Sequence, residues 1–588
     1  FLLFFFSSSS SSSSSHPELG ERIGLACGLA GTVFSTPENL SEKFILYFGN
    51  GVTKTLNGWG KTLLQRTGKR ETSAQEAMSL TDPTNSLLGY WTDNGAYYYY
   101  QTVPETNYAE TMEILSDYHN SLGLPVGYYQ LDSWWYYQTQ KINGNCTLWS
   151  CGGGVTDWSP RPDVFPNGIS PVQQKIGKPL VTHNRYWSTQ NVYEDDYDFH
   201  NGFYEALPTD DNFWPFLLST AKGWGVHTYE QDWLVTQYRE MGYTQASYTA
   251  ATKWVTDMDS AARELNMTIQ YCMPLPQFWL MSTELTAVTQ SRVTGDYLFG
   301  PNNFDIGKTS VLVWSLGLFP FKDVFWSKGE QPGNPWGIVE ENPRMNAIIS
   351  SLSSGPVGFG DGIGFTNISL IHSLCTKSGV LVRPDHPAFP IEKDYGSSPP
   401  TGGQIWTTTV SMAINGLSTT WGYLFSLSIQ EDYNVTMTDL DLTQPSYQQN
   451  YVVVEYDDTN IFSPYLLTPT NSFTIPSSPA PGVVNGKQYW HYYTVYPLLP
   501  LSNWTFLGET NKILNLSVNR VTSQGITDSQ TGFCVEMKGE EGEMLLLGAW
   551  PPQDGEGEEE LIEVKCMVGE SSMVELCCDS GGTCSCEN

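Results

Sequence analysis

Basic residues are scarce in this sequence. Across 588 residues, 29 Lys and Arg stand against 62 Asp and Glu, which gives a formal net charge of −33 at pH 7. A field of that sign repels phosphate groups, so the composition argues against nucleic acid and anionic membranes as partners. It also favours a neutral oligosaccharide or glycan over a strongly anionic polysaccharide as the ligand.

Long apolar runs are missing as well, and we therefore expect no membrane span. Residues 1–15 consist of six apolar residues and then nine serines. This leader resembles the end of a secretory signal peptide. The sequence therefore predicts a secreted, extracellular protein.

Several chemical signatures are absent. The 8 histidines show no metal-ligand spacing such as His-x-x-x-His, so we expect no metal site. No Gly-x-Ser-x-Gly elbow points to a serine nucleophile. No Gly-rich phosphate fingerprint follows the first predicted strand, and no cofactor is expected.

The 11 cysteines and the Asn-x-Ser/Thr sequons indicate an oxidising compartment and a glycoprotein. Cys146 and Cys151 lie five residues apart in a polar stretch and are predicted to form a local disulfide. Further disulfides are expected among the crowded cysteines of the tail. Cys272, inside an apolar run, is expected to be a buried free thiol. The predicted glycosylation sites are Asn39, Asn145, Asn266, Asn367, Asn434, Asn503 and Asn515.

Sequence patterns divide the chain into four parts. Residues 1–15 are the leader, and residues 16–85, rich in Gly, Thr and short β-type runs, are predicted to be a β-rich segment. Over residues 86–395, strand-like runs alternate with helical ones, which predicts an α/β fold, a (β/α)8 TIM barrel; a doubly wound open sheet is the rival. Within it, residues 138–178 are predicted to form a long loop on the active-site face. Residues 396–588 predict an antiparallel β domain with a Cys-rich tail.

The fourth predicted barrel strand ends with Glu230 and Asp232. The C-terminal strand ends form the active-site face of such a barrel, so Asp232 is a candidate catalytic acid or, alternatively, a helix cap. Other strand ends also carry carboxylates and rings. Carboxylates accept hydrogen bonds from sugar hydroxyls, and rings stack on the C–H faces of a sugar. These further candidates are Trp91, Asp93, Asp132, Trp134, His183, Arg185, Trp187, Arg292, Asp296 and Asp361.

Several ordered segments resemble glycoside hydrolase clan D, the group of α-galactosidases and raffinose synthases, and most closely its family 36. The resemblance extends over roughly residues 86–395, with a weaker extension through 492–512. The segments that carry it are 88–93, 129–134, 292–296, 354–361 and 379–387.

The resemblance implies retaining catalysis on an α-glycoside. Asp232 would be the nucleophile, and Asp296 would protonate the leaving oxygen and then activate water or an acceptor hydroxyl. Such a pair is expected to stand about 5–5.5 Å apart. The residues predicted to bind substrate are Asp132, Arg292, Trp91, Asp93, Trp134, Trp187, Glu230 and Asp361.

Two positions depart from the family pattern. Glu230 stands where the family has a lysine that grips sugar hydroxyls, and Leu131 stands where it has the first acid of a pair. Residues two apart on a strand share a face, so Glu230 and Asp232 are expected to point into the same site. Like charges that close would raise the pKa of one of them.

Two functions follow from these patterns. The first is a secreted retaining α-glycosidase, α-galactosidase-like, or a related transglycosidase. The alternative is a catalytically inactive, glycosidase-like extracellular glycoprotein that binds glycan or builds an assembly, for example a homo-oligomer. Glu230, Leu131 and the Cys-rich tail motivate the alternative, because a fold does not by itself imply a function.

Overall fold

The structure is a computed structural model of the chain. It describes residues 31–41, 45–69, 82–139, 153–297, 306–396, 403–442, 449–456, 464–478, 489–552 and 561–587.

A sheet of eight parallel strands forms the centre of the molecule and confirms the predicted barrel. The strands pair in chain order, and β8 returns to pair with β1. A parallel bridge between Phe325 and Phe359 links the segment after β7 to β8, which completes the ring. The strands are β1 (Gly89–Tyr90), β2 (Tyr128–Leu131), β3 (Leu180–Asn184), β4 (Val226–Gln231), β5 (Thr268–Tyr271), β6 (Val288–Arg292), β7 (Phe319–Phe321) and β8 (Gly358–Phe359).

Helices follow each barrel strand and cover the outside of the sheet. Asn107 begins the first with a reciprocal capping box: its side chain accepts from the backbone of Glu110, whose carboxylate accepts from the backbone of Asn107. The helices that follow the strands are Tyr108–Ser121, Ile169–Ile176, Phe213–Gly223, Leu234–Arg239, Gly242–Ala246, Ala250–Glu264, Pro276–Met281, Gly307–Ser315, Pro343–Leu352 and Ile368–His372, with 3-10 turns at Val192–Asp195, Ser282–Glu284 and Glu392–Tyr395.

The segment before the barrel differs from the prediction of a β-rich region. Its described part contains the helices Val52–Thr67 and Pro83–Ser86 and, as β structure, one bridge from Ser35 to Ser247. The helix Val52–Thr67 packs on Gly307–Ser315. That packing stabilises a helix whose Gly and Thr content alone disfavours it.

The predicted loop 138–178 is also more ordered than expected. It contributes Val155–Asp157 to a small sheet, and it contains the helix Ile169–Ile176, whose buried Ile169, Val172 and Ile176 form one apolar face. The other strands of this sheet are Tyr137–Gln138, Trp187–Ser188, Phe199–Asn201 and Glu205–Pro208. Cys146, Cys151 and Asn145 lie outside the described residues.

After the barrel the chain forms mostly antiparallel strands, as predicted. They belong to a 10-stranded sheet and to smaller sheets of three and two strands. Several strands alternate buried and less buried residues, the pattern of a sheet packed on one face. The strands are Phe389–Pro390, Gln404–Ile414, Leu417–Leu427, Tyr433–Val435, Tyr451–Tyr456, Tyr465–Leu467, Phe473–Ile475, Trp490–Pro497, Thr505–Glu509, Val521–Ser529, Gly532–Lys538, Met544–Trp550, Ile562–Met567, Met573–Asp579 and Cys584–Glu587.

Disulfides join strands of this C-terminal region. The pairs are Cys534–Cys577, Cys566–Cys586 and Cys578–Cys584. Cys272 is a buried free thiol, as predicted, and Cys375 is another. Among the helices that the structure describes, none has the length and apolar character needed to cross a bilayer.

Candidate active site

Carboxyl groups gather at the mouth of the barrel, where the C-terminal ends of the parallel strands meet. Acids follow β1, β2, β6 and β7, and two more lie at the end of β4. Most of these side chains are buried, so their charges interact strongly. The acids are Asp93, Asp132, Glu230, Asp232, Asp296 and Asp323.

Asp232 lies directly after β4. Its carboxylate accepts a hydrogen bond from His183 Nε2 at 3.1 Å and one from the backbone N–H of Trp233 at 2.6 Å. Burial favours a raised pKa, but the hydrogen bond and charge of His183 and the charge of Arg292 outweigh it and lower the pKa of Asp232 to about 2. Asp232 is therefore ionised at neutral pH. The helix Leu234–Arg239 has no side-chain cap, so Asp232 does not act as a helix cap.

The charge repulsion between Glu230 and Asp232 affects the pKa of Glu230, which it raises. Its Oε2 accepts a hydrogen bond from Gln130 Nε2 at 2.8 Å. Burial raises the pKa of Glu230 to about 7; the charges of Asp132 and Asp232 add to this effect, and His183 opposes it. Of the two acids at the end of β4, Glu230 is thus the one with the raised pKa, while the pKa of Asp232 stays low.

His183, on β3, supplies a positive charge beside these acids. Its Nε2 lies 3.1 Å from Asp232 Oδ2 and 4.0 Å from Asp132 Oδ2, and its Nδ1 lies 2.9 Å from the Tyr136 hydroxyl. Burial opposes protonation, but the charges of Asp132 and Glu230 and the hydrogen bond with Asp232 raise the pKa of His183. In the imidazolium form both ring nitrogens of His183 donate hydrogen bonds. The acceptors are the Asp232 carboxylate and the Tyr136 hydroxyl.

Asp93 and Asp323 form a second acidic pair on the other side of the mouth. Burial, the charge of Asp323 and a hydrogen bond with it raise the pKa of Asp93 well above its usual range. The Asp323 carboxylate accepts from the backbone N–H of Tyr297 at 2.7 Å. Sequence reasoning did not single out Asp323, although its position just after β7 is the signal that identified the other acids.

Arg292, the last residue of β6, connects two acids. Its guanidinium lies 2.6 Å from Asp296 Oδ1 and 3.4 Å from Asp323 Oδ1. Asn94 Nδ2 donates to the second oxygen of Asp296 at 2.9 Å. The side chain of Asp296 is 34% exposed and that of Asp232 is 12% exposed. Of this predicted catalytic pair, Asp296 is therefore the more accessible member.

Two predicted substrate-binding residues, Trp91 and Trp134, are buried instead of facing the mouth. Trp91 Nε1 donates to the Tyr128 hydroxyl at 2.9 Å, and its ring packs edge-on against Phe321. Trp134 stacks on Tyr108 with ring centroids 3.7 Å apart. Both rings belong to the core because their large apolar area gains most from leaving water. Neither can contact a substrate without displacement.

Trp187 and Asp361 are likewise structural. Trp187 is fully buried in the small sheet and packs edge-on against Phe213, 5.1 Å between centroids. The carboxylate of Asp361 accepts from the backbone N–H and hydroxyl of Ser327 and from Gln331 Nε2. Burial raises the pKa of Asp361 to about 7. Its oxygens are thus occupied by protein donors.

Other aromatic residues lie near the acids of the mouth and are less buried than the predicted ones. Tyr99 stacks on Trp336 at 5.9 Å, and its hydroxyl lies 3.5 Å from Ser133 Oγ, next to the acid after β2. The guanidinium of Arg185 lies 4.5 Å above the ring of Trp233. These rings are only partly buried. They lie in loops beyond the strand ends, where strand periodicity gives no signal.

The predicted glycosylation sites differ in exposure. Asn515 is buried: its Nδ2 donates to the carbonyl of Glu509 and its Oδ1 accepts from the Tyr496 hydroxyl. A glycan on that nitrogen has no room in the folded chain, so this prediction is wrong. The sequon asparagines on the surface are Asn39, Asn266, Asn367, Asn434 and Asn503.

Among the residues that the structure describes, one group of ligand-type side chains lies close enough to share a metal ion. It comprises Cys534, Glu575 and Cys577 in the C-terminal sheet. The two sulfur atoms form a disulfide, which removes the thiolates that would bind the metal.

The chain was compared with known proteins. No protein-family model and no curated protein matches the sequence. Solved structures do match, with low sequence identity. A Bacillus halodurans protein assigned as an α-N-acetylgalactosaminidase shares 14% identity, with a TM-score of 0.41 over 70% of this chain and 96% of that one.

Two further matches are α-galactosidases. The galactosidase domain of an α-galactosidase-sucrose kinase shares 9% identity, with a TM-score of 0.43 over 75% of this chain and 58% of that one. The α-galactosidase of Thermus thermophilus in complex with stachyose shares 13% identity, with a TM-score of 0.34 over 53% of this chain and 65% of that one.

Proposed function

We propose that the barrel mouth is the active site of a retaining α-glycosidase, α-galactosidase-like, or of a related transglycosidase. The observation that carries this proposal is the state of Asp232. It is held ionised by His183 and Arg292 at the C-terminal end of β4, even though Glu230 lies two residues away. A nucleophile needs that ionised state.

The reaction uses two carboxyl groups. Asp232 attacks the anomeric carbon, the bond to the leaving oxygen breaks, and Asp296 gives its proton to that oxygen. Asp296 then takes a proton from water or from an acceptor hydroxyl, whose oxygen attacks the anomeric carbon and releases Asp232. Asp296 is more exposed than Asp232, which supports its role as the proton donor and acceptor. That role requires contact with the leaving group and with the incoming water.

Sugar hydroxyls would find acceptors in Asp132 and Glu230 and a donor in Arg292. The pKa of Glu230, about 7, lets its carboxyl group accept or donate near neutral pH. Tyr99 and Trp233 offer rings for the C–H faces of the sugar. The substrate class is a neutral oligosaccharide or glycan.

Purified protein assayed with a panel of α-configured aryl glycosides tests the proposal. We expect turnover with at least one of them, an α-configured first product by NMR, and loss of turnover in Asp232→Asn. Asp441→Asn, which changes an exposed acid paired with Lys54, is the matched control. A folded protein with no turnover across the panel contradicts the enzyme, and an inverted product contradicts the double displacement.

The second candidate is an inactive glycosidase-like glycoprotein that binds glycan or builds an extracellular assembly. It is favoured by Glu230 in place of a lysine and by the firm pairing of Asp296 with Arg292 and Asn94. Glycan binding without turnover, equal in the native protein and in Asp232→Asn, would select this candidate. A defined homo-oligomer in light scattering would favour the assembly role.

We also propose that the protein is secreted and glycosylated, with residues 86–395 as the catalytic-type barrel and 396–588 as the C-terminal β domain. The disulfides support an oxidising compartment. The exposed sequons support glycosylation. Secretion of the chain from a eukaryotic host, with glycans removable by an amidase, is the test.

A further inference from the structure

A cavity of about 610 Å³ lies between the barrel and the C-terminal β region. Its barrel side is formed by the segment after β7 and by the beginnings of the helices Pro343–Leu352 and Ile368–His372. Strands Tyr451–Tyr456 and Trp490–Pro497 form part of the other side. The volume is within the range of small-ligand sites, which often lie between structural layers. None of the acids of the barrel mouth lines it.

The cavity is lined by more positive than negative side chains. The positive side chains that line it are Lys328, Arg344 and Lys512, and the negative one is Glu341. Lys512 donates to the carbonyls of His372 and Cys375. This local excess of positive charge contrasts with the net charge of −33 of the chain.

Arg344 lines the cavity with a guanidinium that has an unused donor. Its Nε is buried and makes no hydrogen bond within the described part of the chain. Leaving a buried charged donor unbonded is unfavourable, and a guanidinium is suited to a planar carboxylate. Arg344 also lies in the first turn of Pro343–Leu352, where the helix dipole favours an anion.

Aromatic rings form the opposite wall. Tyr456 and Tyr492 are buried in this wall, where their hydroxyls bond to the Tyr496 hydroxyl and to the Ile513 carbonyl. Trp490 is only partly buried and presents a larger ring. Such rings stack on the C–H faces of sugars.

We propose that this cavity binds a short saccharide that carries a carboxylate. The carboxylate pairs with Arg344 and Lys328, and the sugar ring lies against Trp490. The overall negative charge of the protein disfavours a long polyanion, which restricts the ligand to a single acidic sugar or a glycan end that carries one. The inference is independent of the proposed catalysis at the barrel mouth.

D-glucuronate is the probe, with D-glucose and acetate as the neutral and the sugar-free comparisons. Titration calorimetry is carried out on a Ser369→Ala background, because Asn367 lines the cavity and this change removes its sequon while Asn367 still caps its helix. We expect glucuronate to bind at least about tenfold more tightly than glucose or acetate, a difference typical of one charge-assisted contact.

Arg344→Gln is expected to weaken glucuronate binding by about tenfold or more. Lys328→Gln, at an exposed position that does not threaten folding, is expected to weaken it less. Arg66→Gln, at an exposed arginine outside the cavity, is expected to leave glucuronate binding unchanged. If Arg344→Gln fails to fold, the Lys328 variant still decides.

Several results would overturn the proposal. They are the absence of glucuronate binding, equal binding of glucose or acetate, and binding that neither Lys328→Gln nor a folded Arg344→Gln weakens.

Discussion

At the scale of single residues, the two acids of β4 have pKa values that diverge although they lie on one face. Asp232 has a pKa of about 2, and Glu230 has one of about 7. The difference arises from their neighbours: Asp232 receives the hydrogen bond of His183, and Glu230 receives that of a neutral amide, Gln130. Asp232 is therefore ionised at neutral pH, whereas Glu230 titrates there.

His183→Gln removes the cation that keeps Asp232 ionised. His183 lowers the pKa of Asp232, so the loss of His183 raises the pKa of Asp232. The acidic limb of the kcat/KM profile then moves to higher pH. The pH profile of aryl-glycoside hydrolysis measures the shift. His491→Gln, at a histidine paired with Glu455 outside the barrel, is the control. An unmoved acidic limb would contradict this role of His183.

Glu230→Gln keeps the shape of the side chain and removes its titration. The folded-state pKa of Glu230 is above its unfolded value, so the native protein loses stability as pH rises from about 4.5 to about 7. We expect the variant to gain on the order of 2–3 kcal/mol relative to the native protein across this window. Urea unfolding at both ends of the window measures it. A stability difference that does not change with pH would show that Glu230 is not desolvated as described.

At the scale of elements, the eight barrel strands and most of their helices could be predicted because their signals are local. Buried strands and amphipathic helices have characteristic apolar spacings. The helix Val52–Thr67 could not be predicted in this way, because it depends on contact with Gly307–Ser315, far along the chain. The helix Ile169–Ile176 was missed because flanking glycines and Pro-rich sequence gave the segment the composition of a loop.

Gly60→Val tests how the helix Val52–Thr67 is held. A Cβ at Gly60 would lie 1.9 Å from the carbonyl oxygen of Ser315, so the helix must move away from Gly307–Ser315. Overpacking of this kind typically costs about 1–3 kcal/mol. We expect faster amide hydrogen exchange in the helix and a lower Tm. Gln65→Val places the same residue at an exposed position of the helix and is expected to change little. Equal effects of both variants would exclude the close contact.

At the scale of the whole molecule, the parallel barrel supplies the mouth and the C-terminal strands supply the wall of the second cavity. The barrel interior and the adjoining sheets share one apolar core, which includes Trp91 and Trp187. Burial in that core explains why these two rings do not face the mouth. Rings in the loops, Tyr99 and Trp336, take the surface position instead.

Burial over the whole surface also predicts which sequons carry glycans. Asn39, Asn266, Asn367, Asn434 and Asn503 are exposed, and Asn515 is buried. We expect enzymatic deglycosylation in heavy-oxygen water to label some or all of the exposed sites and not Asn515. Peptide mass spectrometry of the secreted protein measures the label, and the unmodified Asn515 peptide is the internal control. A label at Asn515 would contradict its place in the core.

The sequence by itself determined the alternation of strands and helices, and with it the position of the acids after β1, β2, β4 and β6. These features depend on spacing along the chain, and the barrel brings every strand end to one face. Only the tertiary structure decided which rings face the mouth and which acid of β4 has the raised pKa. Ring burial and charge depend on residues distant in sequence: His183 lies on β3, Gln130 on β2 and Arg292 on β6. Their hydrogen bonds and charges exist only once the barrel has closed.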